Sequence, residues 1–360
     1  MTTTLTRQPR QIPWLRLLIS LLAGAAGIWL ITRDLQFNDI QQAFAQAKPG
    51  YILLAVAIIL GTILTKTWRW QLLFIANGRS AEGEQLPGSA PPTGAPPPGA
   101  PPTGAPPALS SLFWPLILGQ FINAISPVRV GDLARVLALE RETGIDKVRA
   151  LSTLVVEKTL DIIILVLTLF LILPTVVLPE AITRRGSLMA LVAAVVFLLL
   201  LIFAHQRERI TMLAKQIIRR LPARLQRPIF HLIVAGLAGL AALRRPRHTL
   251  ILTLVSAGLM VFSILTPYIL FHAFDIPLGL KEAALLHLVL IIGLIPASTP
   301  ANVGIFEGLV AFMLYQFGLT DNATILSYAI VYHLVVVMPQ IILGSLTVVR
   351  SNWRTTRISI

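Results

Sequence analysis

An apolar run is interrupted at Gln120-Phe-Ile-Asn123-Ala-Ile-Ser126-Pro127-Val-Arg129-Val-Gly131-Asp132-Leu-Ala-Arg135. A second interruption repeats the pattern Pro-x-(Arg/Asn)-Val-Gly followed by an acid: Pro296-Ala-Ser298-Thr299-Pro300-Ala-Asn302-Val-Gly304-Ile-Phe-Glu307. Irregular backbone inside a bilayer is tolerated only where it is buried in protein or lines a polar cavity. Paired interruptions in the two halves of a chain are a sequence signal for a transporter-type binding site. We therefore predict that the two breaks form the functional centre.

The composition around these breaks is that of a membrane protein. Of 360 residues, 55% are hydrophobic and only 13% are charged, and several apolar runs approach 20 residues. The formal charge of +14 comes from basic residues concentrated in a few segments between apolar runs. These segments indicate the orientation of the chain in the membrane and contact with anionic lipid headgroups. Nucleic-acid binding is not predicted, because no aromatic residues interleave with the charges of the most basic segment, residues 205–248. Cysteine is absent, which excludes disulfides and thiolate chemistry.

The pattern of apolar runs predicts an all-α, polytopic membrane protein with about six full spans and two re-entrant hairpins. The predicted spans cover residues 17–32 as a retained signal anchor, 51–75, 150–174, 188–204, 250–271 and 325–349. The first hairpin is favoured over a seventh span, because crossing would translocate the arginines and lysines of residues 129–149. The second hairpin enters at 283–296 and returns at 302–317. Span, hairpin and span thus recur as an inverted repeat, with opposed hairpins and both termini cytoplasmic.

These assignments divide the chain into six segments. Residues 1–77 hold the first two spans, 78–108 a Pro/Gly-rich disordered cytoplasmic spacer, 109–204 the first hairpin and following spans, 205–248 a basic interfacial segment, 249–349 the second repeat, and 350–360 a basic tail. The spacer repeats a ten-residue unit that begins at Ala90 and again at Ala100. It is either a tolerated insertion or a ligand for a proline-binding partner domain.

Each break is followed by the N-terminus of a half-helix, where free N–H groups and the dipole favour an anion. Side chains able to donate to a lipid headgroup lie at or near these positions: Arg69, Asn123, Arg129, Arg135, Ser298 and Asn302. Arg129 supplies the bidentate phosphate donor. For Arg69, near the predicted end of the second span, headgroup contact competes with ordinary snorkelling to the interface.

Acidic residues also lie at membrane depth. Those with a predicted charge or coupling role are Asp132, Glu157, Asp161 and Glu307. Glu157 and Asp161 are four apart and project from one helix face. The alternative is structural: Glu157 and Asp161 pair with Lys158 or with arginines of the first hairpin, and Asp132 pairs locally with Arg135. The six histidines are scattered, and neither a metal-ligand cluster nor a nucleophile–base pair is recognisable, so no catalytic residue, metal or cofactor is predicted.

Together these motifs resemble the lysylphosphatidylglycerol synthase transmembrane-region family, also called flippase-like domain proteins. The resemblance is carried by Trp68-Arg69-Trp70, the Gln120 to Arg135 run, Glu157-Lys158…Asp161 and Pro296…Gly304-x-x-Glu307. It implies a bacterial inner-membrane protein that moves or binds an anionic phospholipid or a polyprenyl-phosphate-linked lipid. Family members joined to a soluble aminoacyl-transferase domain synthesise lysyl-phospholipid, but no such domain fits here. The last span carries Tyr332-His333 where the family leads us to expect an arginine.

Three functions are compatible with the sequence. The first is a flippase-like lipid transporter. The second is an integral-membrane transferase that uses a phospholipid or polyprenyl-phosphate donor, with Glu157 or Asp161 as general base. The third is a membrane scaffold whose proline-rich loop recruits a partner.

Overall fold

The structure is a computed structural model that describes residues 45–81, 106–126, 130–172, 246–295 and 299–350. The predicted first span, the span at 188–204, most of the spacer and basic segment, and the C-terminal tail lie outside the described residues. The same holds for two candidate headgroup ligands, Arg129 and Ser298.

Within this part of the chain the fold is all-α, as predicted, and contains no strand. The eight helices are α1 Pro49–Ala81, α2 Leu109–Ile125, α3 Gly131–Thr143, α4 Lys147–Ile172, α5 Pro246–Ala273, α6 Leu280–Gly293, α7 Ile305–Gln316 and α8 Asn322–Arg350. Three of them contain segments long and apolar enough to cross a membrane, at Pro49–Ile75, Arg247–Ala273 and Asn322–Arg350. These segments confirm three of the predicted spans and the assignment to polytopic membrane proteins.

Helix α1 continues beyond its predicted end near residue 75 to Ala81, so Arg69 and Trp70 lie well inside it. Both side chains are buried, with 2% and 1% exposure, and the Trp70 indole N–H donates to Thr153 Oγ1 of α4 at 2.9 Å. The interpretation of Arg69 as a residue that snorkels to the interface is therefore wrong, because α4 provides polar partners inside the bundle. Only Trp68 of this motif is exposed.

Helices α2 and α3 form an antiparallel hairpin around the first break. Next to the break, Asn123 Oδ1 accepts a hydrogen bond from the Gly131 N–H at 2.7 Å, and farther from the break Gly119 approaches Arg135. A Cβ atom on Gly131 would lie 1.9 Å from the Gly119 carbonyl oxygen, so the two backbones touch. The 13 residues of α3 measure about 20 Å at 1.5 Å per residue, which is shorter than the hydrocarbon core of about 30 Å.

Helices α6 and α7 flank the second break, where a 3₁₀ turn covers Pro300–Asn302. Ala301 and Asn302 have left-handed backbone conformations, with φ of 53° and 60°. This turn packs against α2, so the second break meets the first hairpin. The contact was not predictable in detail, but it agrees with the expectation that the two interruptions converge.

The order of elements repeats. A long helix, two short helices and a long helix begin at residues 49, 109, 131 and 147, and the same order begins again at 246, 280, 305 and 322. The two leading helices, α1 and α5, pack along each other, and the residue before α1 lies at the end of α5. There the Lys48 N–H donates to the Ala273 carbonyl at 2.9 Å, and the side-chain hydrogen bond to Asp275 raises the pKa of Lys48.

Candidate functional site

Four charged side chains from three helices meet inside the bundle. Arg69 of α1 contacts Asp161 Oδ1 at 2.5 Å and Glu157 Oε1 at 3.5 Å, both on α4. Arg135 of α3 contacts the other Glu157 oxygen, Oε2, at 3.0 Å. Glu157 therefore joins a guanidinium from α1 to one from the first hairpin. We call Arg69, Arg135, Glu157 and Asp161 the charge cluster.

The predicted common face of Glu157 and Asp161 is confirmed, since both carboxylates contact Arg69. The predicted local pair also forms, with 3.6 Å between Arg135 Nε and Asp132 Oδ1. Lys158, on the same turn of α4 as Glu157, contacts the other Asp132 oxygen at 3.2 Å. Five of the predicted site residues thus belong to one connected network.

The cluster is closed on one side and open on another. The side chains of Arg69, Arg135 and Glu157 are at most 10% exposed, whereas 44% of the Asp161 side chain is exposed. Arg69 Nη1 also lies 3.2 Å from Ser256 Oγ of α5, so α5 supports the cluster from the second half of the chain. Lys66, one helical turn before Arg69, lies within electrostatic range of both carboxylates.

Among the described residues, the buried Nε atom of Arg69 has no hydrogen-bond partner, and that of Arg135 has no hydrogen bond beyond its 3.6 Å ion-pair contact with Asp132. Guanidinium groups pair with planar or tetrahedral oxyanions through two parallel N–H groups. Arginines held by carboxylates can therefore exchange that partner for a phosphate of similar geometry. The cluster has the chemistry of an anion site that is closed by its own carboxylates.

The predicted ligands at the breaks occupy different positions. Asn123 accepts the Gly131 N–H beside the break of the first hairpin, and Asn302 ends the 3₁₀ turn of the second. Near them, Gln120 Nε2 and Thr299 Oγ1 are buried without a hydrogen-bond partner within the described part of the chain. Unpaired polar atoms at this junction are compatible with a polar ligand, since burial without a partner is costly.

Glu307, the first acid of α7, has a partner that the sequence analysis missed. One carboxylate oxygen accepts the Gly304 N–H at 2.7 Å and caps the helix. The other contacts His333 Nδ1 of α8, and His333 Nε2 lies 2.8 Å from the Ala301 carbonyl oxygen. The Gly-x-x-Glu spacing was a readable capping signal. The histidine was noted only as a departure from the family, yet it connects α8 to the second break.

A groove of about 680 Å³ lies apart from the charge cluster, between α1, the start of α2 and the end of α8. Its wall is mostly apolar, and at one end the Arg350 guanidinium lies 4.7 Å from the centre of the Trp114 ring. None of the four cluster residues lines it. No group of three metal-ligating side chains occurs among the residues that the structure describes.

In a comparison with known families, the lysylphosphatidylglycerol synthase TM region matches residues 14–344. The chain belongs to this family. The match covers every described helix except the last residues of α8, and it confirms the resemblance drawn from the motifs. Membership in the lysylphosphatidylglycerol synthase TM family makes the chain an integral membrane protein of a lipid-related family. A search of curated proteins found no match.

Proposed function

We propose that the protein binds an anionic phospholipid or polyprenyl-phosphate-linked headgroup at the charge cluster and moves it across a bacterial inner membrane. The observation that carries this proposal is Glu157, whose two carboxylate oxygens hold Arg69 and Arg135 from different helices inside the bundle. Charges at membrane depth are costly and usually serve a substrate or ion pathway. The family supports lipid as the substrate class.

Movement requires the cluster to change partners. In the empty protein the two guanidiniums are neutralised by Glu157 and Asp161. A headgroup phosphate approaching past the exposed Asp161 would replace a carboxylate on Arg69, because both oxyanions fit the same fork of donors. The released carboxylate then disfavours a second anion, so one headgroup occupies the cluster at a time. Arg129 and Ser298 at the breaks are proposed to act on the same headgroup.

The transferase alternative has less support. A general base needs an oxygen free to take a proton from the substrate. Both Glu157 oxygens face guanidinium groups, and Asp161 Oδ1 is bonded to Arg69. These carboxylates are placed to balance positive charge rather than to receive a proton. Formation of a new covalent lipid product by the purified protein would instead support the transferase alternative.

Lipid movement is tested with purified protein in liposomes that contain labelled phospholipid and no soluble donor. We expect Arg69→Lys to insert normally but to lose at least about tenfold in the rate of headgroup movement, because lysine keeps the charge and lacks the fork that spans two acceptors. Arg129→Lys tests the proposed clamp at the first break in the same assay. Arg141→Lys, at the end of α3, is the control. If Arg69→Lys moves the headgroup at the wild-type rate, the charge cluster takes no part in transport.

Alternating access further requires that the two hairpins enter from opposite sides, and we propose this arrangement. The absence of native cysteine allows a direct test. Glu142→Cys, at the exposed end of α3, is expected to react with an impermeant maleimide only from the cytoplasmic side of oriented vesicles. If Glu142→Cys is labelled from outside, the first hairpin crosses the membrane completely and the proposed inverted repeat is wrong.

A further inference from the structure

The second break is held by a hydrogen-bonded chain that runs through His333. Glu307 caps α7 by accepting the Gly304 N–H and contacts His333 Nδ1 with its other oxygen. His333 Nε2 reaches the Ala301 carbonyl oxygen, within the 3₁₀ turn. The 3₁₀ turn and the first turn of α7 are therefore both fixed to one imidazole on α8.

To satisfy both contacts of His333, this chain needs one proton more than a neutral histidine and an ionised glutamate carry. Both imidazole nitrogens face oxygen acceptors, and a neutral imidazole has a single N–H. Each contact needs a proton between its two atoms. Either His333 carries two N–H groups, or the Glu307 carboxyl is protonated and donates to Nδ1. In both forms the pair binds an extra proton, and its loss leaves one contact without a hydrogen.

The pair is buried, so loss of this proton is energetically costly. The side chains of His333 and Glu307 are only 8% and 10% exposed, and the imidazole stacks on Phe306 with ring centres 4.5 Å apart. An acceptor facing another acceptor in such a site repels it, since no water replaces the lost hydrogen bond. Deprotonation therefore weakens the attachment of the 3₁₀ turn to α8.

Among the described residues, the groups that act electrostatically on Glu307 are His333 and the backbone N–H groups of Gly304 and of Glu307 itself. Helix α2, which packs against α8, has no charged residue. The described titratable or charged side chains on the remaining elements packed against α7 or α8, and on these two helices themselves, are Tyr51, Lys66, Arg69, Arg247, His248, Tyr268, His272, Lys281, Glu282, His287, Tyr315, Tyr328, Tyr332 and Arg350. Of these, Lys66 and Arg69 act on the carboxylates of α4.

We propose that the Glu307–His333 pair is the binding site of a proton that keeps the second break closed, and that release of this proton opens the break. The site deepens the proposed lipid movement, on which its role in transport rests, by supplying a coupling ion. Histidine is suited to this because its charge ordinarily changes between about pH 5 and 8. A lipid passing the second break is then moved only when the proton leaves, which links headgroup movement to a proton gradient.

The test measures the opening of the break without any lipid substrate. A single cysteine is placed at the tip as Val303→Cys, which is 51% exposed, and a matched one at the far end of the same hairpin as Leu280→Cys, also 51% exposed. Both are labelled with a small maleimide in detergent at pH 5.5 and 8.5. The Leu280→Cys rate corrects for the intrinsic pH dependence of thiol reactivity. We expect the ratio of tip to control rates to rise about tenfold at the higher pH, as the loss of one buried hydrogen bond allows.

Two further variants test whether the pH dependence of the labelling ratio comes from His333. In a His333→Arg background the positive charge and its donors cannot be lost, so the ratio is expected to stay low at both pH values. In a His333→Gln background no extra proton is bound, so the ratio is expected to be high at both. A wild-type ratio that changes less than about twofold, a pH response that survives His333→Arg, or a low ratio in His333→Gln would each overturn the proton site. Lipid movement that fails while the labelling results hold would instead count against the proposed function.

Discussion

Replacement of Glu157 with glutamine is expected to lower the free energy of unfolding by about 3–5 kcal/mol, because two guanidiniums inside the bundle then lose their shared counter-charge. The amide has nearly the shape of the carboxylate, so the effect reports charge rather than volume. Arg69 and Arg135 are both buried and cannot turn to solvent. The measurement is the midpoint of thermal unfolding, followed by tryptophan fluorescence in detergent.

Glu140→Gln is the matched control for this variant. Glu140 pairs with Lys147 at 3.1 Å, but these side chains are 33% and 52% exposed. An exposed pair of this kind contributes less than about 1 kcal/mol, so its loss should shift the midpoint little. Equal midpoints for the two variants would mean that the buried arginines do not depend on Glu157.

The second large effect is expected from a single methyl group in the first hairpin. Gly131→Ala would place a Cβ atom 1.9 Å from the Gly119 carbonyl oxygen and 2.7 Å from the Asn123 side chain. The nearest obstacle is backbone, so α2 and α3 must move apart. We expect a loss of about 3 kcal/mol in stability and a large fall in the yield of monodisperse protein by size-exclusion chromatography.

Gly308→Ala in α7 provides the comparison. A Cβ atom there meets nothing within 4 Å, and alanine is the better helix former. This variant should be as stable as the wild type or slightly more stable. If Gly131→Ala behaves in the same way, the close approach of the two helices is not required for folding.

Hydropathy and helix periodicity predicted the described elements well but not their partners. The helices at residues 109, 131, 305 and 322 begin within a few residues of the predicted positions, because apolar runs and breaks are local properties of the chain. The Asp132–Arg135 pair was predicted for the same reason, since three residues on a helix are neighbours. Arg69, by contrast, meets Asp161, 92 residues away, and no local pattern encodes that contact.

The position of a basic residue along a helix was also a poor guide to its depth. Arg69 follows a hydrophobic run and was placed at the interface, but α1 extends 12 residues beyond it to Ala81. Partners on α4 and α5 make a buried arginine acceptable there. His333 was missed because a lone histidine in an apolar helix gives no indication of what faces it. Only the fold brings it to Glu307 and to the turn at Ala301.

The contact between Gly344 and Phe121 bears on which helices of this protein can move together. A Cβ atom on Gly344 of α8 would overlap the Phe121 side chain of α2 at 2.3 to 2.6 Å, so α8 packs directly on the first hairpin. The 3₁₀ turn of the second half rests on α2 as well. Two elements of the second half of the chain, α8 and the 3₁₀ turn, thus both pack on α2 of the first half. Any rigid-body rotation of the first hairpin would therefore carry α8 with it.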